Sequence, residues 1–466
     1  MLLHGPGIRL ISILEFRLGA SAIVFGLPTL LYVFFFTCND VTGCPAPALL
    51  NPRSISLKRL KSQVPWPTNG LGGFASWEAT GWVLAYYLLS LVLYRVFPAT
   101  EMYGTKLRES GRPLKYRFNS FASTVVQLAA CVVGTFVYGA DFVVWTFIDR
   151  HYLQLLSTNI MFAFAISAVV YINSFTVRSG NEEMRELAQG GRTGSIMYDF
   201  FLGRELNPRF TLPFFGEIDL KSWIEMRPGL TGWALLDLAY VAKQYRNYGL
   251  LSNSIVFVSV VQVYYVLEGQ YAETGLLGMM DITTDGCRYL SIHPVHLGWT
   301  GIGAVGVALT VGVFIFRSAN NQKALFRSSP DDPEVARMSY IQTKRGTRLL
   351  TSGWWGMARH INYFGDWLQA SPFCLPTGLA GYVMVPAGSA AVNAMTGNYT
   401  MADGRGVTQG RAQGWAMVYT YFYALYFAIL LIHRERRDDV ACGAKYGEDW
   451  EKYKKQVPWR ILPGVY

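Results

Sequence analysis

The run from Leu18 to Asn39 contains no charged residue. At 1.5 Å per residue, a helix over that run crosses about 30 Å of hydrocarbon, and only helices and closed barrels satisfy their own backbone there. The run is too long for the apolar core of a signal peptide, and no small-residue cleavage site clearly follows it. Similar runs recur at Ala79–Val96, Phe118–Ala140, Tyr152–Val177 and Leu297–Phe316, with a weaker pair at Gly229–Tyr245 and Ser252–Leu267. After a polar stretch come Phe373–Ala394 and Gly414–Ile432. The expectation is an all-α, polytopic transmembrane bundle of about nine spans. Pro28, Pro376 and Pro386 are expected to kink their helices or to mark half-spans, because proline removes a backbone donor.

Composition agrees: 51% of the residues are hydrophobic and 15% charged, where a soluble protein carries about 25% charge. The net charge of +10 fits cytosolic loops and anionic headgroups. Nucleic acid is not an expected partner, because no zinc-ligand or recognition-helix pattern is present. Six cysteines are too scattered for a disulfide framework. Cys38 and Cys44 either pair in an oxidising lumen or stay as two thiols near an interface.

Lys and Arg concentrate in Phe97–Arg117, Arg178–Arg227, Arg317–Arg359 and the tail after His433, which places those segments in the cytosol. The loop Asn51–Gln63 is also basic but is outvoted by the helix count around it. The sequon Asn398-Tyr399-Thr400 then falls in the lumen, where glycosylation is allowed. With a cytosolic N-terminus, the first six spans return the chain to the cytosol near Glu268. One further span, Leu297–Phe316, would leave the basic stretch Arg317–Asp366 in the lumen. One crossing is therefore missing between Leu267 and Leu297.

Chemistry concentrates in Leu349–Trp367, LLTSGWWGMARHINYFGDW, where Arg359, His360, Asn362, Tyr363 and Asp366 sit among three tryptophans. Facing lipid, each unsatisfied group would cost on the order of several kcal/mol. These groups face protein, water or a ligand, or the segment is a surface loop whose arginine meets headgroups. Lys323 and Arg327 lie four apart on an expected helix and share a face. They suit a phosphate, or form a plain juxtamembrane basic patch. No glycine-rich turn follows a strand, so a Rossmann domain is excluded. Glu205, Asn207 and Arg209 form a polar knot around Pro208 at a membrane edge, while Glu268, Asp281 and Asp285 are acids near the membrane whose role depends on their depth. Asp438 reads as half of a surface pair with Arg434. His293, His296, His360 and His433 lack ligand spacing apart from His-Pro-Val-His, and no Glu-x-x-His repeat occurs, so no metal site is expected.

Two of these segments carry a family resemblance. Leu349–Trp367 and Leu430–Tyr466, LLIHRERRDDVACGAKYGEDWEKYKKQVPWRILPGVY, resemble in that order two signatures of the sterol reductase family. The similarity runs from about Gly19 onward, and DFFLGRELNPRF (Asp199–Phe210) is most like the C14 sterol reductases of fungi. The resemblance implies about ten spans in a multi-pass endoplasmic reticulum membrane protein. It also implies a transmembrane bundle over residues 1–316 and a C-terminal part over 317–466 with a cytosolic cofactor region. The implied activity is NADPH-dependent reduction of the C14=C15 double bond of a sterol taken from the bilayer, in ergosterol biosynthesis. No oligomeric state is implied.

The same resemblance implies NADPH contacts at Lys323, Arg327, Leu350, Trp355, Asn362, Tyr363, Asp438, Cys442, Gly443, Ala444, Lys445, Tyr446 and Tyr453. Trp355 and Tyr363 would stack on cofactor rings. Glu205 and Asn207 would line the reaction chamber, and Glu268 and Asp281 complete the candidate acids. Relatives carry, after an Asp-Gly like Asp285-Gly286, a run resembling FGFMLxFGDLxWVPFTYSLQ. Here Gly286 passes directly to CRYLSIHPVHLG. The missing crossing thus reads as a deletion at Gly286–Cys287 that removes a tyrosine and an aspartate of the chamber, with impaired activity as the expectation. Rival readings are a Δ7-type sterol reductase, a non-catalytic sterol-binding protein like the lamin B receptor, and an isoprenylcysteine-type methyltransferase. About eighteen residues before the first span argue against the lamin B receptor reading, and Lys323 with Arg327 argues against the methyltransferase.

Overall fold

The computed structural model describes residues 6–51, 53, 55–177, 184–188, 190–273, 286–389 and 397–466, with side chains from Leu18 onward except that of Thr105. The longer helices of the first half are α1 (Pro6–Thr37), α2 (Trp77–Val96), α3 (Ser120–Tyr138), α4 (Tyr152–Asn173) and α5 (Leu230–Tyr248). There follow α6 (Asn253–Tyr271), the short α7 (Gly286–Ile292), α8 (Gly298–Ser328), α9 (Ile361–Ala370) and α10 (Phe422–Tyr446). Among the described residues five stretches are long and apolar enough to cross a membrane: Leu18–Thr37, Gly70–Val96, Ser120–Asp141, Tyr152–Thr176 and Gly298–Ser328. The chain is a polytopic helical membrane protein.

The weaker pair of expected spans is helical as α5 and α6, with Asp237, Lys243 and Arg246 diluting the apolar character of α5. Phe373–Ala394 is not a membrane helix. Its described part is two 3-10 turns, Ser371–Phe373 and Leu375–Thr377, followed by a strand at Tyr382–Val385. Pro376 opens the second turn instead of kinking a span, and Pro386 follows the strand. Gly378 and Gly381, at φ of 58° and 155°, turn the backbone out of any helix between them.

The described chain packs as two compact units that interleave in sequence. One comprises residues 1–250, 262–281 and 382–412, and the other comprises 251–261, 282–381 and 413–466. The division at residue 316 is one of sequence motifs and does not coincide with these boundaries.

In the first unit, two polar clusters mark the two ends of the helices. At one end Cys38 and Cys44 form a disulfide, a bond at home in an oxidising lumen. It closes the loop after α1 and leads into a four-stranded antiparallel sheet of β1 (Gly43–Cys44), β2 (Tyr382–Val385), β3 (Tyr399–Thr400) and β4 (Gly406–Thr408), in the order β1-β2-β4-β3. Gly43 is required there, because a Cβ would run into the Tyr382 carbonyl. The Gln63 carbonyl accepts from Asn39 Nδ2 and Thr42 Oγ1, so the basic helix Leu57–Gln63 is tied to the disulfide loop as the helix count demands. Lys243 of α5 pairs with Asp40 at 3.0 Å and Asp149 at 2.8 Å, and Arg246 with Asp149 at 2.7 Å.

At the other end, Arg227 lies 3.3 Å from Glu273 and donates to Asn119 Oδ1 at 2.8 Å. Glu273 in turn accepts from the Ser120 backbone N–H. Arg117 donates to the carbonyls of Tyr94, Arg95 and Phe97, covering the C-terminus of α2 with a cation. The C-termini of α1, α3 and α5 therefore share the disulfide's end, while the C-termini of α2 and α6 share the Arg227 end. That alternation is the one successive membrane crossings require.

In the second unit, α8 continues past the expected end at Phe316 to Ser328. It packs closely on α9, and glycine is what permits this. A Cβ on Gly312 would strike the Gln369 backbone, and one on Gly365 the Phe316 nitrogen. By the positive-inside expectation the basic end of α8 would be cytosolic and its start luminal, whereas α6 ends at the Arg227 face. Among the described residues between them only the seven-residue α7 is helical, about 10 Å of rise against the 30 Å a crossing needs.

Candidate functional site

The cofactor candidates of the second unit gather from several elements that are far apart in sequence. The last turns of α8 bring Asn320, Lys323 and Arg327. The hairpin Tyr340–Gln342/Arg348–Leu350 brings Leu350, and the helical turn Trp354–Met357 brings Trp355. The start of α9 supplies Asn362 and Tyr363, and α10 supplies Asp438 and Cys442.

Trp355 is 3% exposed, and its indole N–H donates to the Ala319 carbonyl at 2.8 Å. Its backbone carbonyl accepts from the Tyr453 hydroxyl. It packs with Leu350, Phe326 and Val335. So anchored, the ring serves as a floor: the Lys323 ammonium sits 3.4 Å from its centroid. Among the described residues no carboxylate lies within 4 Å of that ammonium, and the ring face supplies its only close compensation.

Asn362 Nδ2 donates to Asn320 Oδ1 at 3.3 Å, while Asn362 Oδ1 is buried with no hydrogen-bond partner. The Tyr363 hydroxyl donates to Asp438 Oδ2 at 3.0 Å, and burial raises its pKa above the usual phenol value. Arg434 lies over the Tyr363 ring at 5.4 Å. Asp438 is thus engaged by a tyrosine 75 positions away rather than closed on Arg434 as a surface pair. Cys442 and Tyr446 pack on the layer of Trp450, Tyr453 and Val457. Gly443, Ala444 and Lys445 occupy the same turns of α10, with the Lys445 ammonium over the Tyr446 ring.

The cofactor contacts implied by the resemblance omit His360, although the sequence places it in the same polar segment. Its ring stacks on Tyr363 at 4.8 Å, and burial, reinforced by the Lys323 charge, pushes its pKa down to about 4. It is a neutral wall at pH 7. The tail beyond α10 straps the site: the N–H groups of Arg359 and His360 donate to the carbonyls of Trp459 and Arg460. Arg359 Nη1 donates to the Val457 and Pro458 carbonyls, and the fully buried Glu435 accepts from Arg460 and the Tyr466 hydroxyl. The clustering of Arg359, His360 and the Pro-Trp-Arg of the tail within polar motifs was the only signal available for this.

The acid candidates belong to the first unit. Glu205 is 2% exposed and held by Arg185 through two hydrogen bonds of 2.8 Å, one to each oxygen. Asn207, at φ 50°, donates to the Tyr116 hydroxyl at 2.8 Å. Glu268 is half-buried on α6. Asp281 and Asp285 lie outside the described residues.

The profile of the ergosterol biosynthesis ERG4/ERG24 family matches the chain in two pieces, residues 13–287 and 286–466. The pieces abut at Gly286–Cys287, the join where the sequence departs from its resemblance. The chain is 60% identical to the Delta(14)-sterol reductase ERG24B of Gibberella zeae over 469 residues, covering 96% of this chain and 97% of that one. It is 54% identical to the Delta(14)-sterol reductase of Neurospora crassa, covering 96% and 95%. It is 47% identical to the Delta(14)-sterol reductase erg24B of Aspergillus fumigatus, covering 97% and 91%. The first alignment runs 469 positions yet takes in 96% of 466 residues, which leaves about twenty positions to the relative alone, the length of one membrane helix. With both pieces of the profile in order over nearly its whole length, the chain belongs to the ergosterol biosynthesis ERG4/ERG24 family.

Proposed function

We propose that this chain is a membrane-embedded Δ14-sterol reductase of the endoplasmic reticulum whose second unit holds NADPH, and that the form with Gly286 joined to Cys287 lacks one membrane crossing. Full-length identity of 60% and 54% to two Delta(14)-sterol reductases carries the activity. For the cofactor, the supporting observation is the half-buried Lys323 ammonium resting on Trp355 without a carboxylate, beside an orphaned Asn362 acceptor. A ligand bearing phosphates and a carboxamide satisfies both.

NADPH, when bound, supplies the hydride. The chain's own residues do the rest. Lys323 and the exposed Arg327 on the next turn attract phosphate, and Asn362 Oδ1 accepts a hydrogen bond from an amide or hydroxyl. Tyr363 keeps its proton directed at Asp438 Oδ2, which fixes that carboxylate. Neutral His360 adds no charge beside the cations. The substrate is a sterol with conjugated 8,14 double bonds; protonation at C15 would leave a tertiary cation at C14, the carbon to which the cofactor would supply hydride. Adding a proton to a hydrocarbon demands a dry site, which a helical bundle in the bilayer provides along with entry for the sterol.

The test is loss of an 8,14-diene sterol, followed by mass spectrometry, on membranes containing this chain and NADPH. A second sample carries the chain with a relative's run restored after Gly286. Activity in the restored form with little or none in the other is expected. Equal activity in both would remove the claim that the run is required. Silence in both, with folded protein, would remove the reductase reading.

A further inference from the structure

The sheet at the disulfide end carries the only Asn-x-Ser/Thr sequence of the chain, Asn398-Tyr399-Thr400. Its strand, β3, is the edge of the sheet, pairing through Tyr399–Val407 and Thr400–Gly406. Successive side chains of a strand point to opposite faces. Tyr399 points inward, 7% exposed, with its ring 5.9 Å from Tyr248. Asn398 and Thr400 share the other face, Thr400 exposed and Asn398 half-buried. Among the described residues the Asn398 amide makes no hydrogen bond, so nothing in the fold has to be broken to substitute its nitrogen.

The compartment follows from connections within the same unit. The sheet is continuous with the disulfide loop through Gly43–Val383 and Cys44–Tyr382. The turn that follows β3 is bolted on twice more. Arg405 Nη1 donates to the Asp40 carbonyl at 2.6 Å, and the Ala402 N–H to the Asn247 carbonyl at 2.7 Å. Whatever compartment holds the Cys38–Cys44 disulfide also holds Asn398, and a disulfide persists in the oxidising lumen rather than in the cytosol. The basic loops at the opposite helix ends reach the same orientation by independent means.

We propose that Asn398 is an N-glycosylation site on the luminal face. The donor class is a polyprenyl-diphosphate-linked oligosaccharide. The Asn398 Nδ2–C1 bond forms as the C1–O bond to diphosphate breaks, Nδ2 loses a proton, and the polyprenyl diphosphate leaves. No oxidant or reductant is involved. The Thr400 hydroxyl is the part of the acceptor that the transferase reads, and its exposure on the same face keeps it readable.

The experiment uses the full chain in sealed fungal microsomes. Endoglycosidase H treatment is expected to give a single downward step in gel mobility. The step should be absent in Asn398→Gln and Thr400→Ala and present in Thr400→Ser. Because a variant can fail to fold and be degraded, peptide mass spectrometry of the unaltered chain is run beside it. There, one N-acetylglucosamine left on Asn398 after digestion is expected. An unmodified Asn398 in the folded chain overturns the proposal, as does a mobility step that survives Asn398→Gln.

Discussion

Arg227 in the first unit and Lys323 in the second are both cations withdrawn from water, and they are treated differently. Arg227, 1% exposed, has Glu273 at 3.3 Å and Asn119 at 2.8 Å, and it ties the ends of several helices together. Lys323 has an aromatic ring at 3.4 Å and, among the described residues, no carboxylate within 4 Å. Taking a charge out of water without an ionic partner is costly. Where a fold partners its buried charge, the charge is architecture; one left on a ring beside an orphaned acceptor is what the proposed cofactor site uses to attract an anion. The Lys243–Asp149–Arg246 cluster repeats the first case at the disulfide end.

The largest expected effect breaks the architectural side. Glu273→Ala leaves Arg227 uncompensated and should cost about 3–5 kcal/mol of stability, seen as a large fall in Tm in detergent. The double change Arg227→Met with Glu273→Leu should recover most of it. A double variant as unstable as the single one would show that the pair is not what holds these helix ends.

Next comes His360. Its folded pKa of about 4 lies below the unfolded 6.5, so the unfolded state binds the proton first as pH falls. Its contribution is complete above about pH 6.5 and is lost as pH falls towards 4, up to roughly 3 kcal/mol in all. Thermal unfolding between pH 7 and 4.5 should show this slope, and His360→Gln should flatten it. An unchanged slope would place His360 in water.

On the site side, Lys323→Ala should weaken NADPH binding by about 10- to 100-fold, the worth of a charge-assisted phosphate contact. Lys243→Ala should leave the cofactor affinity of the folded protein as it was. Equal losses in both would erase the distinction between partnered and unpartnered cations. The smallest effect is at Tyr363: removing its hydroxyl with Tyr363→Phe should cost about 1 kcal/mol of stability. A double-mutant cycle with Asp438→Asn reads the coupling directly.

Much of this was legible in the chain because apolar length is a strong local signal. Leu18–Asn39, Ala79–Val96, Phe118–Ala140, Tyr152–Val177 and Leu297–Phe316 each coincide with a candidate membrane helix. Phe373–Ala394 misled because hydropathy does not see that Gly378 and Gly381 force turns and that Tyr382–Val385 finds partners in β1 and β4. Lys323 and Arg327 were readable as one helix face, since that is a four-residue relation. The Tyr363–Asp438 bond, the strap from Val457 to Tyr466 over Arg359, and the pairing of Arg227 with Glu273 join residues far apart in sequence, and no periodicity encodes such meetings. The break at Gly286 was legible by counting crossings, and the family profile divides at the same place.

The most direct test of the cofactor site is an equilibrium titration of the unaltered chain with NADPH, followed by quenching of tryptophan fluorescence, with S-adenosylmethionine as competitor. Saturable NADPH binding that S-adenosylmethionine does not displace is the expected result, whether or not this form turns over sterol. A folded chain that shows no saturable binding, or one that yields NADPH to S-adenosylmethionine, would contradict the assignment of Lys323, Asn362 and their neighbours to a nicotinamide cofactor.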